Sequence, residues 1–470
     1  MKKEINRARV EEKEAKELLH RRKQLERLSK AFSLPVVLLL LLLVAFVDEI
    51  ATASNAQVQS SVVNEFFVQP MNVSYNEGIA MLSGFMGVSS ILMFIVPFYK
   101  TLADKFGRRI FLALNVVGMG VGLLICGLSR SVVVYVIGAS LISFFIQHDM
   151  QIIYLYEIVP SDRRATIYGF VKALANISIV AVPLLRRFAM HDDPALWRNV
   201  FLVPAFGAFA IAILIFIGVK ESRLFLEQRT AWLEKPFEER HPVRTEKTEN
   251  TRNQPKEQKT GMIAGMKHLF KEKQLFSILL VTCMFAMVSP CIYQYVESIM
   301  YDFGMETANI TKALMLYPFL YAMIVALAGF LSDRIGRKKI IVFSGIMTIL
   351  GFAAFNISAL LHASPYLVGF FYGLFLGCWW TCVDFTNMMS AESAPTYNRG
   401  SVAGAANLIA LLCGFLGYAG TIVAPLLFKH IGFGYMTVAI PFVIAGISIM
   451  AARVRETKGV DLNSVVYEND

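Results

Sequence analysis

From Leu34 onward the chain is a succession of apolar runs, most of them about twenty residues or longer, divided by short polar breaks. Nothing else in the sequence restricts the fold as strongly. About twenty residues is the length that carries a helix across a bilayer, and a helix satisfies its backbone groups without water. Twelve spans are expected, at 34–58, 77–100, 110–128, 132–158, 165–186, 197–219, 275–300, 309–331, 339–361, 365–390, 400–427 and 433–452. The fold class is therefore an all-α membrane protein of twelve transmembrane helices. With 56% hydrophobic and 17% charged residues among 470, a soluble globular domain is excluded.

The net charge of +10 raises the question of nucleic acid, but the bases lie in a tail, short loops and one linker. No basic stripe interleaves with aromatics on a soluble face, so membrane lipid is the expected anionic partner. Bases cluster in the tail, at Lys105 to Arg109, at Arg163 and Arg164, across 220–273, at Arg334 to Lys339, at Arg399 and at Arg453. Alternate loops put all of these on one side, which predicts a multi-pass plasma-membrane protein with both termini cytoplasmic. Arg130, Arg186, Arg187 and Arg198 are exceptions on the outer side. All six cysteines, including the i, i+4 pair Cys378 and Cys382, lie in apolar runs and read as small buried hydrophobes. A charged stretch precedes the first apolar run, so no secretory signal peptide is expected.

Two repeats divide the chain. Thr101 to Ile110 reads TLADKFGRRI, and Gly329 to Ile340 reads GFLSDRIGRKKI. Each puts a glycine where a helix must end and turn back, and Gly107 and Gly336 are expected to take left-handed backbone there. The second repeat is ExxPxxxR, at Glu157, Pro160 and Arg164 and again at Glu392, Pro395 and Arg399, with an offset of 235 residues. Asp149 and Asp384 share that offset. Such repeats indicate two related six-helix bundles with a solute site between them. The expected organisation is a charged tail at 1–33, bundles at 34–219 and 275–452, a linker at 220–274 and a C-terminal tail at 453–470. The tail suits a solvated helix, with Glu12 to Lys16 and Glu17 to Arg21 at i, i+4. The linker is too polar to fold alone, apart from a short surface helix near Met262 to Phe270.

On these motifs the chain resembles the major facilitator superfamily over nearly its whole length. The signature GxLxDRxGRK is matched by Gly329, Leu331, Asp333, Arg334, Gly336, Arg337 and Lys338, and the first copy departs from it at Lys100. ExxPxxxRG at Glu392 to Gly400, the pair Trp197 and Arg198, and ETKGxxL at Glu456 to Leu462 resemble the sugar-porter branch and its organic-solute relatives. Ala165 follows Arg164 in place of glycine, and only Glu221 and Ser222 remain of the usual PESPR. The resemblance implies two pseudo-symmetric bundles with spans one, four, seven and ten lining a central cavity. The paired glutamines expected in span seven are reduced to Gln294, so it does not imply a particular solute.

Those spans hold the candidate residues. An ionised carboxylate in hydrocarbon must face a cavity or a partner. Asp48 lies about 21 Å along its span, near the bilayer middle, and the resemblance makes an aspartate here the proton site of proton-coupled relatives. Burial favours its neutral form and hydration its ionised form, so it can take a proton on one side and release it on the other. Its alternative is permanent pairing with a base such as Lys172. Glu49 points roughly 100° away, so one of the two acids is expected to face the cavity, and Asp48 is the choice. Asp149 and Asp384 suit either a cation-attracting ring or a shared gate, and His148 suits either a proton relay or an interior donor. Tyr293, Gln294, Glu297, Trp379, Trp380, Asp384, Asn387 and Lys172 are the candidate solute ligands, giving stacking faces and hydrogen bonds. A gate is expected at the cytoplasmic end from Asp104, Arg108, Glu157 and Arg164 with Asp333, Arg337, Glu392 and Arg399, paired when that side is shut.

No metal-ligand cluster, nucleophile elbow or phosphate loop occurs, so an enzyme is not expected, nor any cofactor. The expected function is gradient-driven transport of a small-molecule substrate by alternating access, with protons as the coupling partner and a monomeric chain. Two rivals stand beside symport: efflux of organic cations or drugs by antiport, and a non-transporting receptor with the same fold.

Overall fold

The structure is a computed structural model that describes residues 2–27, 34–96, 98–99, 102, 106–146, 150–159, 164–240, 262–394 and 399–458. Among these residues it is helical throughout, in two six-helix bundles. The tail forms α1 (Lys2–Arg27). The first bundle runs through α2 (Leu34–Ala56), α3 (Gln59–Val63), α4 (Tyr75–Ser89), α5 (Arg108–Leu128), α6 (Val132–Ile146), α7 (Met150–Ile158), α8 (Arg164–Ser178), α9 (Ala181–Phe188) and α10 (Asn199–Gly218). Between the bundles lie α11 (Arg223–Glu234) and α12 (Met262–Lys271). The second bundle runs through α13 (Lys273–Ser289), α14 (Val296–Asp302), α15 (Thr307–Ile335), α16 (Arg337–Leu360), α17 (Pro365–Glu392), α18 (Arg399–Leu427) and α19 (Ile431–Arg453). Ten helices among the described residues are long and apolar enough to cross a membrane. The fourth span is carried by α6 and α7 on either side of residues outside the description, and the fifth by α8 and α9.

The breaks in the spans have local causes. In the fifth span Pro183 has no N–H for the Ile179 carbonyl, which accepts instead from the Val182 N–H at 3.0 Å in a tighter turn. The first span stops at Ala56, turns at Gln57 and Val58, and resumes as α3 followed by a π-helical stretch, Asn64–Val68. The seventh span has a matching π-helical stretch, Pro290–Gln294, beginning at a proline. Broken helices freeing backbone groups inside a membrane bundle are sites where something else must bond them.

Phe206, Phe216 and Ile217 on α10 and Phe330 on α15 are exposed, as residues facing lipid tails would be. Inside each bundle, α5 packs on α6 and α10, and α17 on α15 and α16. Contacts of α4 with α18, and of α8 and α9 with α15, join the two bundles.

Glycines 107 and 336 do have positive φ, +115° and +102°, but with ψ of 156° and 152°. This is the glycine-only extended region, not the left-handed helical turn expected from the sequence. The helix that follows each glycine therefore starts abruptly, with its first N–H groups aimed at an acceptor. A Cβ at 336 would meet Glu456 Oε2 at 2.4 Å.

The tail helix forms its expected i, i+4 pairs, Lys16 with Glu12 and Arg21 with Glu17. It is less solvated than expected, because one face docks on α11. Arg229 donates to Glu17 at 3.0 and 3.1 Å, Arg22 pairs with Glu234 at 2.7 Å, and Arg21 Nη2 reaches the Phe106 carbonyl at 3.1 Å. Burial pushes the Glu17 carboxyl up, but Arg229 and Arg21 outweigh it and hold it below the usual carboxylate range. The first part of the linker is thus helical because it buries Phe225 and Leu226, and α12 forms where a short helix was expected. Gly336→Ala is expected to cost about 1–3 kcal/mol through its backbone conformation alone. A fall in the thermal midpoint of the purified protein checks this; an unchanged midpoint would show that the glycine conformation is not required.

Candidate functional site

Midway along the bundles, α2, α8 and α17 bring charged side chains together. Lys172 Nζ on α8 lies 3.0 Å from Glu49 Oε1 on α2, with 42% of the lysine side chain exposed and 18% of the glutamate. Asp48 is turned to α7, where Gln151 Nε2 donates to its carboxylate at 3.0 Å. The alternative pairing of Asp48 with Lys172 is therefore not the one observed: Glu49 takes the lysine. The two neighbouring acids are split between partners because α8 and α7 flank α2 on different sides. Asp384 on α17 is exposed yet ringed by protein, as a side chain in a cleft would be, and the charges of both Lys172 and Glu49 act on it. Tyr321 of α15 is near enough for the charges of Glu49, Lys172 and Asp384 to act on it as well.

One face of α17 carries Trp380, Asp384 and Asn387, at i, i+4 and i+7. Asn387 is exposed, and Trp380 packs on Tyr293 with ring centroids 5.6 Å apart. Gln294, from the π-helical stretch, is buried and accepts from the Tyr418 hydroxyl at 3.0 Å. Trp379 is a correction. It is fully buried against Phe285, ring centroids 5.5 Å apart, because a step of one residue turns it about 100° from Trp380 and into the second bundle's core.

Glu297 is the second correction. It does not line the middle of the bundles but sits at the end opposite the termini, with 1% of its side chain exposed. Its partners are the Ser60 N–H at 2.8 Å, the Ser60 hydroxyl and Arg186 Nη1 at 3.4 Å. Glu297 stands close to the far end of its span, in the last helix Val296–Asp302, so residue type suggested a solute ligand at a depth where the bundles meet instead. His148, Asp149 and Asp104 lie outside the described residues.

At the end bearing the termini, each bundle contains the same cluster. Arg108 Nε bonds Glu157 at 3.0 Å, and Arg337 lies 3.4 Å from Glu392 and 3.2 Å from Asp333. Both clusters tie helices of one bundle to each other, whereas the sequence suggested a gate without saying which helices pair. Arg164 and Arg399 begin α8 and α18, and their side chains are outside the description, as are Pro160 and Pro395.

Four further residues, each a member of a sequence motif, complete the clusters. Glu221 accepts the N–H groups of Arg108 at 2.8 Å and Arg109 at 3.3 Å, and Ser222 donates to Glu157. Glu456 accepts the N–H groups of Arg337 at 2.9 Å and Lys338 at 3.1 Å, and Thr457 donates to Glu392. These pairs obey the same offset of 235 residues as the motif glutamates, a signal that was present in the sequence. A carboxylate on the unpaired N–H groups of a helix start is favoured by charge and by hydrogen bonding together. Burial pushes the Glu221 carboxyl above its usual range, and the N–H groups of Arg108, Ser222 and Arg109 oppose that rise. The Trp197 and Arg198 pair meets a carboxylate too, Glu65, at 2.8 Å from the indole N–H and 2.9 Å from Arg198 Nη1.

With the geometry in place, comparison with known proteins gives a consistent result. The profile described as Major Facilitator Superfamily matches residues 37–418. Glucose transporter GlcP of Staphylococcus epidermidis is 24% identical over 78% of this chain and 83% of its own. The cis,cis-muconate transport protein of Acinetobacter baylyi is 25% identical over 73% of this chain and 78% of its own. The inward-open xylose transporter XylE from E. coli superposes with a TM-score of 0.66 at 17% identity, covering 92% of this chain and 99% of that one. Among the clusters, Glu221→Gln is expected to lower stability by about 1.5–3 kcal/mol, the range for a hydrogen bond to a charged group. Glu456→Gln should cost less, since Glu456 is exposed. Thermal unfolding of the two variants checks the order; equal losses would contradict it.

Proposed function

The chain belongs to the Major Facilitator Superfamily, whose members here are sugar and organic-solute transporters, and we propose that it moves a small organic solute across the plasma membrane by proton-coupled symport. The observation that carries this reading is the charged cluster of Asp48, Glu49, Lys172 and Asp384, drawn from both bundles and placed midway along their helices. Charges at that depth are costly and are kept where they bind solute or ions.

In this reading Asp48 holds the proton. Gln151 donates to its carboxylate at 3.0 Å, and because burial favours the neutral form and hydration the ionised one, the carboxyl changes protonation state as water enters and leaves. Glu49 and Lys172 neutralise each other, and the partly exposed lysine side chain remains available to an oxygen-rich solute. Trp380 and Tyr293 offer stacking faces, and Asn387 and Asp384 offer hydrogen bonds, a combination that suits a sugar ring. Among the relatives, one is named for glucose and one for cis,cis-muconate, so a neutral polyol and a carboxylate are the first solutes to test.

Alternating access requires the halves to rock about this cluster. The termini are assigned to the cytoplasm, where the bases of Arg108, Arg109, Arg337 and Lys338 gather. The two Arg–Glu clusters then brace the cytoplasmic ends of the bundles and act as the inner gate together with Asp104, Arg164 and Arg399. The chain is assigned as a monomer in contact with lipid. A second reading, antiport of organic cations, is favoured by one observation: Asp48, Glu49 and Asp384 outnumber Lys172 in the cluster.

Asp48→Asn is expected to retain counterflow exchange of solute in proteoliposomes while losing accumulation driven by a pH gradient; full accumulation by that variant would rule out Asp48 as the proton site. Loss of uptake when a cationic solute is replaced by its neutral isostere would favour antiport instead. Glu392→Gln is expected to reduce turnover while solute still raises the thermal midpoint, since binding to the folded state stabilises it; unchanged turnover would remove Glu392 from the gate.

A further inference from the structure

The end opposite the termini holds a second set of charges, Arg186 and Glu297, apart from the cluster at the middle of the bundles. Arg186 and Glu297 are each 1% exposed, and they come from different bundles: Arg186 from α9 and Glu297 from α14. Arg186 Nη1 lies 3.4 Å from Glu297 Oε1, Arg186 Nε donates to Thr311 Oγ1 of α15 at 3.2 Å, and Arg186 also bonds the Gln57 carbonyl. Thr311 in turn donates to Asp192 at 2.7 Å, and Gln57 Nε2 donates to the Tyr317 hydroxyl at 3.1 Å.

The broken first span explains why two charges occupy this place. Its interruption at Gln57 and Val58 leaves a carbonyl and, just beyond, the Ser60 N–H outside the regular ladder. The carbonyl goes to the arginine, and the N–H goes to the glutamate at 2.8 Å. Each charge thus compensates a freed backbone group and the other charge. All of these bonds except Arg186 with Gln57 cross from one bundle to the other, as do Ser83 with Tyr295 at 2.8 Å and Asn76 with the Phe428 carbonyl at 3.0 Å.

We infer that Arg186 and Glu297 form a latch that closes the outer end, positioning α3 against α14 and setting how often that end opens. The inference rests on the alternating-access reading. An ion pair suits a reversible closure. Its desolvation cost nearly offsets its attraction, and on opening both charges regain water, whereas an apolar plug would expose hydrocarbon surface. Removing one partner alone is much worse, because the other charge stays buried and unpaired.

Hydrogen–deuterium exchange of the full chain in lipid nanodiscs, with no solute added, tests this. In Glu297→Gln, amides in segments 57–63, 75–83 and 428–435 are expected to exchange at least about tenfold faster than in the native chain, with segment 337–360 unchanged. In the double variant Arg186→Gln with Glu297→Gln, two amides can still meet the Gln57 carbonyl and the Ser60 N–H, and exchange should fall back to within about threefold of the native rate. Unchanged exchange in Glu297→Gln overturns the latch. So does faster exchange confined to 57–63, which would mean one lost local bond with the halves still shut. A rise that includes 337–360 and persists in the double variant also overturns it, since that is a weakened fold. The measurement contains no transport step: a chain that passes it but moves no solute keeps the latch and loses the transport function, and a chain that transports but fails it does the reverse.

Discussion

Every backbone N–H and C=O in hydrocarbon must find a partner inside the protein, and the rest of this structure depends on that constraint. It makes the spans helical and makes each interruption informative. Where the first span breaks at Gln57, the freed groups are met by Arg186 and Glu297. Where the chain turns at Gly107 and Gly336, the N–H groups of the next helix are met by Glu221 and Glu456. Within the bundles, Arg186, Glu297, Glu221 and Glu456 all stand where backbone order is interrupted.

The middle of the bundles is different. There the helices α2, α8 and α17 keep their ladders, and the charges of Glu49, Lys172 and Asp384 answer one another. These groups compensate no broken backbone, which is the physical reason for treating them as the working site. In the proposed reading the two ends hold the bundles in shape and close them, and the middle is left for solute and proton.

Pseudo-symmetry organises the end bearing the termini. Arg108, Glu157, Glu221 and Ser222 in one bundle correspond to Arg337, Glu392, Glu456 and Thr457 in the other. The copies are not equivalent in environment: Glu221 is buried, whereas Glu456 is exposed. At the opposite end the symmetry is lost, because Arg186 and Glu297 form one pair shared between bundles. A shared pair joins the two halves directly, whereas the pairs repeated inside each half brace the helices of that half.

The sequence by itself determined the twelve spans, the duplication and the acids that would lie in the membrane, because helix length, apolar run and repeat offset are local or periodic properties. It also contained the offset linking Glu221 to Glu456, although the capping role depends on a backbone conformation that no pattern of letters specifies. Tertiary structure alone decided the partners. Whether Lys172 meets Asp48 or Glu49 depends on how α8 leans on α2, and whether Trp379 or Trp380 faces the cleft depends on the rotation of α17. Glu297 shows the limit most plainly: its type and span suggested a solute ligand. Its position at the outer end of its span, opposite an arginine brought over from the other bundle by the fold, made it part of a seal.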